Sequence, residues 1–183
     1  MKRLLMLILC LLLLVAIAVP ALAAGTVQMV TNKTSVYRDS EFTVTVVVSG
    51  WGACTTGSAV VIPGASFELK GGEWMVSSPD ISYFSPGDRD GGFAYNQGKD
   101  ISGNLLRLTL KVKSNAAFAY DKVKVELNLG GVKTVQEISI LVACNHSFSN
   151  WTDLGASGHT RKCNICGREE QQAVVYGMLG IED

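Results

Sequence analysis

Histidine is almost missing from this chain: there are two in 183 residues, His146 and His159, both near the C-terminal end. Nothing upstream of them offers the base of a Ser-His-Asp arrangement, and no bond-breaking site is visible in the pattern, so a non-catalytic protein is expected. A basic excess is also missing, with 16 Lys+Arg against 16 Asp+Glu. That argues against the positive surface a nucleic acid or an anionic membrane would need. Prolines number four, and no stretch of any length repeats apolar residues at helical spacing, which excludes a helical body. Cysteines are few and unevenly placed: Cys10 in an N-terminal apolar run, Cys54 alone in a glycine-rich loop, and Cys144, Cys163 and Cys166 close together. That is not the spread of a disulfide-framed domain. No repeat of solenoid period is present.

What is there begins with MKRLLMLILCLLLLVAIAVPALAAG. Lys2 and Arg3 precede an uncharged apolar run, Leu4 to Val19, broken by Pro20, and Ala21-Leu22-Ala23 supplies small residues. This is the layout of a secretory signal peptide over residues 1–23, with a retained anchor as the alternative. The run is somewhat short for a spanning helix. A secreted, extracellular or cell-surface bacterial protein is expected, touching membrane only through an uncleaved leader.

Residues 24–143 read as strands. The key stretch is GNLLRLTLKVKS, from Gly103 to Ser114. Leu106, Leu108, Leu110 and Val112 alternate with Arg107, Thr109, Lys111 and Lys113, which puts the apolar set on one face of a strand. Glu41–Ser49 alternates in the same way through Phe42, Val44, Val46 and Val48, and so does Asp121–Leu129 through Val123, Val125, Leu127 and Leu129. Val27–Val30, Ser58–Ile62, Ala65–Leu69, Glu73–Val76 and Val135–Ala143 read as further strands. Pro63-Gly64 marks a break, Gly50–Gly57 a glycine-rich connection, and Asn115–Phe118 a single helical turn. Residues 77–102 are the least regular, with Ile81–Phe84 and Gly92–Tyr95 as short strands inside them. Roughly nine short strands with glycine-rich turns specify an all-β sandwich or barrel.

The segments DSEFTVTVVVSG, ASFELKGGEW, FAYN, ISGNLLRLTLKVKSNAA and KVKVELNLGG, in that order and spacing, resemble the cohesin-like modules of secreted bacterial proteins. The resemblance runs from about Val27 to Ala143. It implies a nine-stranded jelly-roll β-sandwich related to carbohydrate-binding modules. It also implies a non-catalytic role: capture of a dockerin-type protein partner, or of a glycan in polysaccharide recognition. Where cohesins commonly carry a Tyr-Asp pair, this chain has Ile62-Pro63-Gly64. No dockerin-contacting residue is therefore carried over, since fold and function are separable.

The sharpest chemistry lies in residues 144–170, CNHSFSNWTDLGASGHTRKCNICGREE. Thiolate and neutral imidazole are the usual tetrahedral ligands of structural zinc. A segment this small needs metal to supply its folding energy. Five ligands are offered for four positions: His146, His159, Cys163 and Cys166 are the expected set, with Cys144 as substitute or near neighbour. A filled four-ligand site is structural rather than catalytic. The pattern is similar to short cysteine/histidine repeats in surface proteins of gut-type anaerobic bacteria. Two other readings stand beside zinc: a Cys163–Cys166 disulfide, and a thiol oxidoreductase pair, whose C-x2-C would ordinarily open a helix in a βαβ setting.

Aromatic rings at Trp51, Tyr83, Phe84 and Tyr95 are candidates for stacking on a sugar, with core packing the competing account of the chain's aromatics, Trp74 and Phe93 included. Asp88 and Asp90, with Asp80 and Asp100, are candidates for calcium, although the spacing lacks the ligand series of a dedicated loop. Cys54 is expected to be a buried or spare thiol. Residues 171–183 are read as a separate tail.

Overall fold

The computed structural model describes residues 25–85 and 89–173. The leader, Asp88 and most of the 171–183 tail lie outside the described residues. No helix among the described residues is long and apolar enough to cross a membrane.

The alternating stretches all form strands. Ten of them make a sandwich: β1 (Thr26–Thr31), β2 (Ser35–Val36), β3 (Glu41–Ser49), β4 (Ala53–Pro63), β5 (Phe67–Trp74), β6 (Ile81–Phe84), β7 (Asp90–Asp100), β8 (Gly103–Val112), β9 (Tyr120–Leu129) and β10 (Val132–Val142). One sheet has the order β1-β3-β8-β5, the other β2-β10-β9-β4-β7-β6. Every pairing is antiparallel except β2 with β10, which run parallel.

Register explains the core. Opposite β8, Val44 pairs with Leu108 and Phe42 with Leu110. In the second sheet Leu127 pairs with Ala59, and Leu129 with Gly57. Residues directly opposite share a face, so each sheet has one continuous apolar face. Facing inward, these bury Phe42, Val44, Val46, Leu106, Leu108, Leu110, Val123, Val125, Leu127 and Leu129 almost completely. Ser66 is the only buried polar residue among those described.

Five expectations change. The sandwich has ten strands rather than nine, because β2 adds a two-residue edge beside β10. Residues 77–102 contain an eleven-residue strand, β7. Gly91, Gly92 and Gly98 are strand positions, and a Cβ on Gly91 would collide with the Phe84 ring, as one on Gly57 of β4 would with the Phe93 ring. For the same reason the Gly50–Gly57 connection already contains the start of β4. Gly71 sits at an irregularity inside β5, not at a turn between two strands, as a β-bulge permits. The helical turn expected at Asn115–Phe118 is a turn at Ser114–Asn115 without helix.

The Pro63-Gly64 break is tied down by Asp121 at the start of β9. Its carboxylate accepts the Ser66 N–H at 2.7 Å and the Lys122 N–H at 2.8 Å. Burial raises the Asp121 pKa, but these donors and Lys113 outweigh it and hold it below the ordinary carboxylate value. A depressed folded-state pKa means stability that is present above the unfolded value of about 3.9 and lost as pH falls through the lower folded value. Asp121→Asn is expected to cost about 1–3 kcal/mol at neutral pH, the scale of hydrogen bonds to a charged group. It should also flatten the acid limb of the stability curve, as measured by urea unfolding between pH 7 and pH 2.

Candidate metal centre

After β10 the chain enters a small three-stranded sheet with the order β11-β12-β13: β11 (Thr152–Asp153), β12 (His159–Lys162) and β13 (Glu169–Gln172). Its last strand pairs Gln171 with Thr160 and Gln172 with His159. The ribbon therefore runs two residues past the boundary expected at 170. One 3-10 turn, Gly155–Ser157, joins β11 to β12.

The turn between β12 and β13 is the C-x2-C-G segment. Gly167 has φ +75°, in the left-handed region that favours glycine. The Gly167 N–H donates to Cys163 O at 2.9 Å, and the Cys163 N–H to Arg168 O at 2.8 Å. The incoming strand is clamped beside this turn by the Asn164 N–H, which donates to Ser147 O at 2.8 Å, and by a bridge between Phe148 and Cys163. Cys144 follows Ala143, whose N–H donates to Val36 O at 2.8 Å. One cysteine is thus fixed by the sandwich and two by the ribbon turn.

Cys144, His146, Cys163 and Cys166 converge, with ligand atoms all within 4.8 Å of one another. Cys144 Sγ lies 3.8 Å from Cys163 Sγ, and Cys166 Sγ lies 3.4 Å from His146 Nδ1. For a tetrahedral ion with sulfur at about 2.3 Å and nitrogen at about 2.05 Å, the corresponding edges are roughly 3.8 and 3.6 Å. The donor set and spacing therefore fit a divalent metal ion and are compatible with zinc.

Charge in the cluster is unevenly shared. Burial tends to raise the Cys163 thiol, but backbone N–H groups of Cys166, Ile165 and Ser147, with His146, overcome it and bring the pKa down to about 5. Cys144 is pushed up to about 12, by burial first and then by Cys166 and Cys163 beside it. Anionic sulfurs packed together repel, so one keeps its proton until a cation balances the charge.

The four side chains that converge differ from the expected four at one position: Cys144, expected as substitute or near neighbour, is in the cluster, and His159 is not. His159 lies four residues before Cys163 along an extended strand, which separates them by about 13 Å at 3.3 Å per residue. Its ring instead faces Asp153, with Nδ1 3.7 Å from Oδ1. The cysteines at 54, 144, 163 and 166 are unbonded. Cys163 and Cys166 sit on a hairpin turn, not at the start of a helix.

The other candidates do not assemble. Tyr95 is buried, its hydroxyl donating to Ser77 O at 3.0 Å. Trp51 and Phe84 are half-buried against the core, and Tyr83 is exposed. Tyr83 and Phe84 are neighbours in one strand and so point to opposite faces. Asp80 and Asp100 already accept the N–H groups of Asn96 and Ser102, and Asp88 lies outside the described residues. Cys54 is buried, its thiol donating to Thr56 O at 2.8 Å, and burial raises its pKa.

Sequence reading missed two features. One is a stack beside the cluster: Arg161 lies over both Phe148 and Trp151 and is paired with Glu170. Its signal was the opposite charge of Arg161 and Glu170 on either side of the turn. The other is the outer face of the six-stranded sheet. There Val135, Glu126 and Val60 form one cross-strand row, and Lys133, Asn128 and Ser58 the next. A depression of about 260 Å3 lies between them. Val60, Ile62, Val135, Ile81 and Tyr83 are exposed. Valine and isoleucine on both faces of β4 were the available sign.

No family model and no curated protein matches the chain. Among solved structures it is similar to the seventh ScaB type I cohesin from Pseudobacteroides cellulosolvens, at 16% identity over 66% of this chain and 94% of that one, TM-score 0.46. It is also similar to the third ScaB cohesin of R. flavefaciens, in complex with a group 1 dockerin, at 10% identity over 68% and 87%, TM-score 0.45. A third similarity is to AvmM, which catalyses macrocyclization in alchivemycin A biosynthesis, at 11% identity over 68% and 91%, TM-score 0.41.

Titrated with cobalt(II), the full chain is expected to take up one ion. His159→Gln should leave that stoichiometry unchanged, whereas Cys163→Ser should weaken binding by at least about tenfold, judged by the visible absorption of bound cobalt.

Proposed function

We propose that the chain is a secreted, non-catalytic binding module of cohesin-like type, and that it captures a dockerin-type protein partner on the outer face of its six-stranded sheet. The observation that carries this reading is the exposed row Val135–Glu126–Val60, continued by Ile62 on β4 and by Tyr83 and Ile81 on β6. Scattered exposed apolar residues are ordinary, but these share one face of a rigid sheet. Charged pairs are interleaved with them: Glu126, inside the row, with Lys124, and Lys122 with Glu137, each at 2.6 Å. Exposed apolar side chains supply contact area for a protein partner, and charges set among them supply orientation and specificity. The inner side of the same sheet is filled with apolar side chains, which supports a scaffold rather than a reaction chamber. Secretion rests on the leader's residues, and a surface or extracellular setting follows from it.

The ribbon is proposed to hold structural zinc through Cys144, His146, Cys163 and Cys166. With all four positions filled by protein, such an ion has no open site for water. Its part is to supply cohesion to a sheet too small to bury a core.

Two measurements test these readings. Immobilised full chain should enrich dockerin-bearing proteins from a cellulolytic secretome. Val60→Asp or Val135→Asp, both at exposed positions, should reduce capture by at least roughly tenfold, as expected when a central contact is lost; no enrichment by the unaltered chain counts against the reading. Elemental analysis of the purified full chain should give one zinc per chain, and a metal-free, disulfide-linked ribbon would dismiss the zinc assignment.

A further inference from the structure

In most histidine metal sites the ring nitrogen that does not bind metal donates to a carboxylate or carbonyl, and that bond sets the ring's orientation. His146 is built differently. Its Nδ1 faces Cys166 at 3.4 Å, and no group among the described residues hydrogen-bonds its Nε2. The side chain is also exposed, so packing around it is thin. What touches the ring is Phe148, stacked on it with centroids 5.3 Å apart and an interplanar angle of 27°.

Phe148 is in turn held from behind. The Arg161 guanidinium lies 4.5 Å from the Phe148 centroid and 4.6 Å from that of Trp151. Arg161 cannot swing away, because Nε and Nη2 both donate to Glu170 Oε2, at 3.0 and 2.7 Å. Arg161 and Glu170 are themselves register partners across β12 and β13. The two strands on either side of the Cys163–Cys166 turn thus also fix the guanidinium. A cation against an aromatic face is favourable when partly desolvated, and a planar guanidinium suits such stacking better than an ammonium does.

From this continuous contact, His146 to Phe148 to Arg161 with Glu170 behind, we infer that Arg161 and Phe148 are positioning residues for the metal ligand His146, replacing by stacking the hydrogen bond that usually orients such a ring. The inference rests on the metal reading of the four-ligand cluster. It assigns to Arg161 and Phe148 a role that neither has as a ligand. The class of ion is unchanged: a divalent, tetrahedral, thiolate-loving one.

Cobalt(II) titration of the full chain tests it, with the visible d–d bands reporting the ligand set and their growth reporting affinity. Arg161→Ala and Phe148→Leu should each bind cobalt about 10- to 100-fold more weakly, the usual scale for losing an orienting partner. At saturation their bands should move away from three-sulfur, one-imidazole coordination, as those of His146→Ala should. Phe148→Tyr keeps the stacking face and should retain the unaltered spectrum, which guards against a variant that merely unfolds the ribbon. Wild-type bands and affinity in both Arg161→Ala and Phe148→Leu would overturn the positioning role while leaving the metal reading intact. Failure of the unaltered chain to bind cobalt would overturn the metal reading and this role together.

Discussion

The sandwich depends on one constraint: two sheets, each apolar on one side, have nowhere to put that side except against each other. Leu106, Leu108 and Leu110 of β8 and Val123, Val125 and Leu127 of β9 are completely or almost completely shielded from solvent. A shift of one residue in either register would turn the whole set outward. The edges then follow from what can pair without disturbing that arrangement. The two-residue β2 docks parallel on β10, and β6 caps the far side of the second sheet beside glycines that let its rings approach.

The ribbon obeys a different rule. Its strands are two to four residues long, too short to build an apolar layer. Polar and ionic contacts take its place. Arg161 fills the position a leucine would take in a larger domain, with rings on its flat faces and a carboxylate at its edge. The sulfur–imidazole cluster closes the other end. Both halves of the molecule rest on side-chain alternation, but one excludes water with hydrocarbon and the other gathers charged pairs and a cluster of sulfur and imidazole.

Much of this was legible from residue order. Period-two alternation identified β3, β8, β9 and β10, because a strand with one wet face writes its pattern into the chain. The Cys/His crowding pointed to the side chains that converge there, His159 excepted. What was not legible had local causes. Glycine reads as a turn whenever the partner ring is unknown, so the length of β7 beyond Gly92–Tyr95 and the first half of β4 were hidden. His159 looked like a ligand because four residues seem close in sequence. Only an extended backbone shows that they span too much space, while Cys144, far off in sequence, is brought in by the clamp between Ser147 and Asn164. The outer face of the six-stranded sheet was hidden for another reason. Apolar residues on both faces of β4 were a sign of it, but which neighbours share that face depends on cross-strand register, which the order of residues does not give.

Cys144 stands one residue beyond Ala143, which is still bonded to β2. The Cys/His cluster therefore straddles the junction between the two halves of the chain. An ion held there would lock the heading with which the polypeptide leaves the sandwich, and scarcity of that ion would turn a fixed outlet into a swivel.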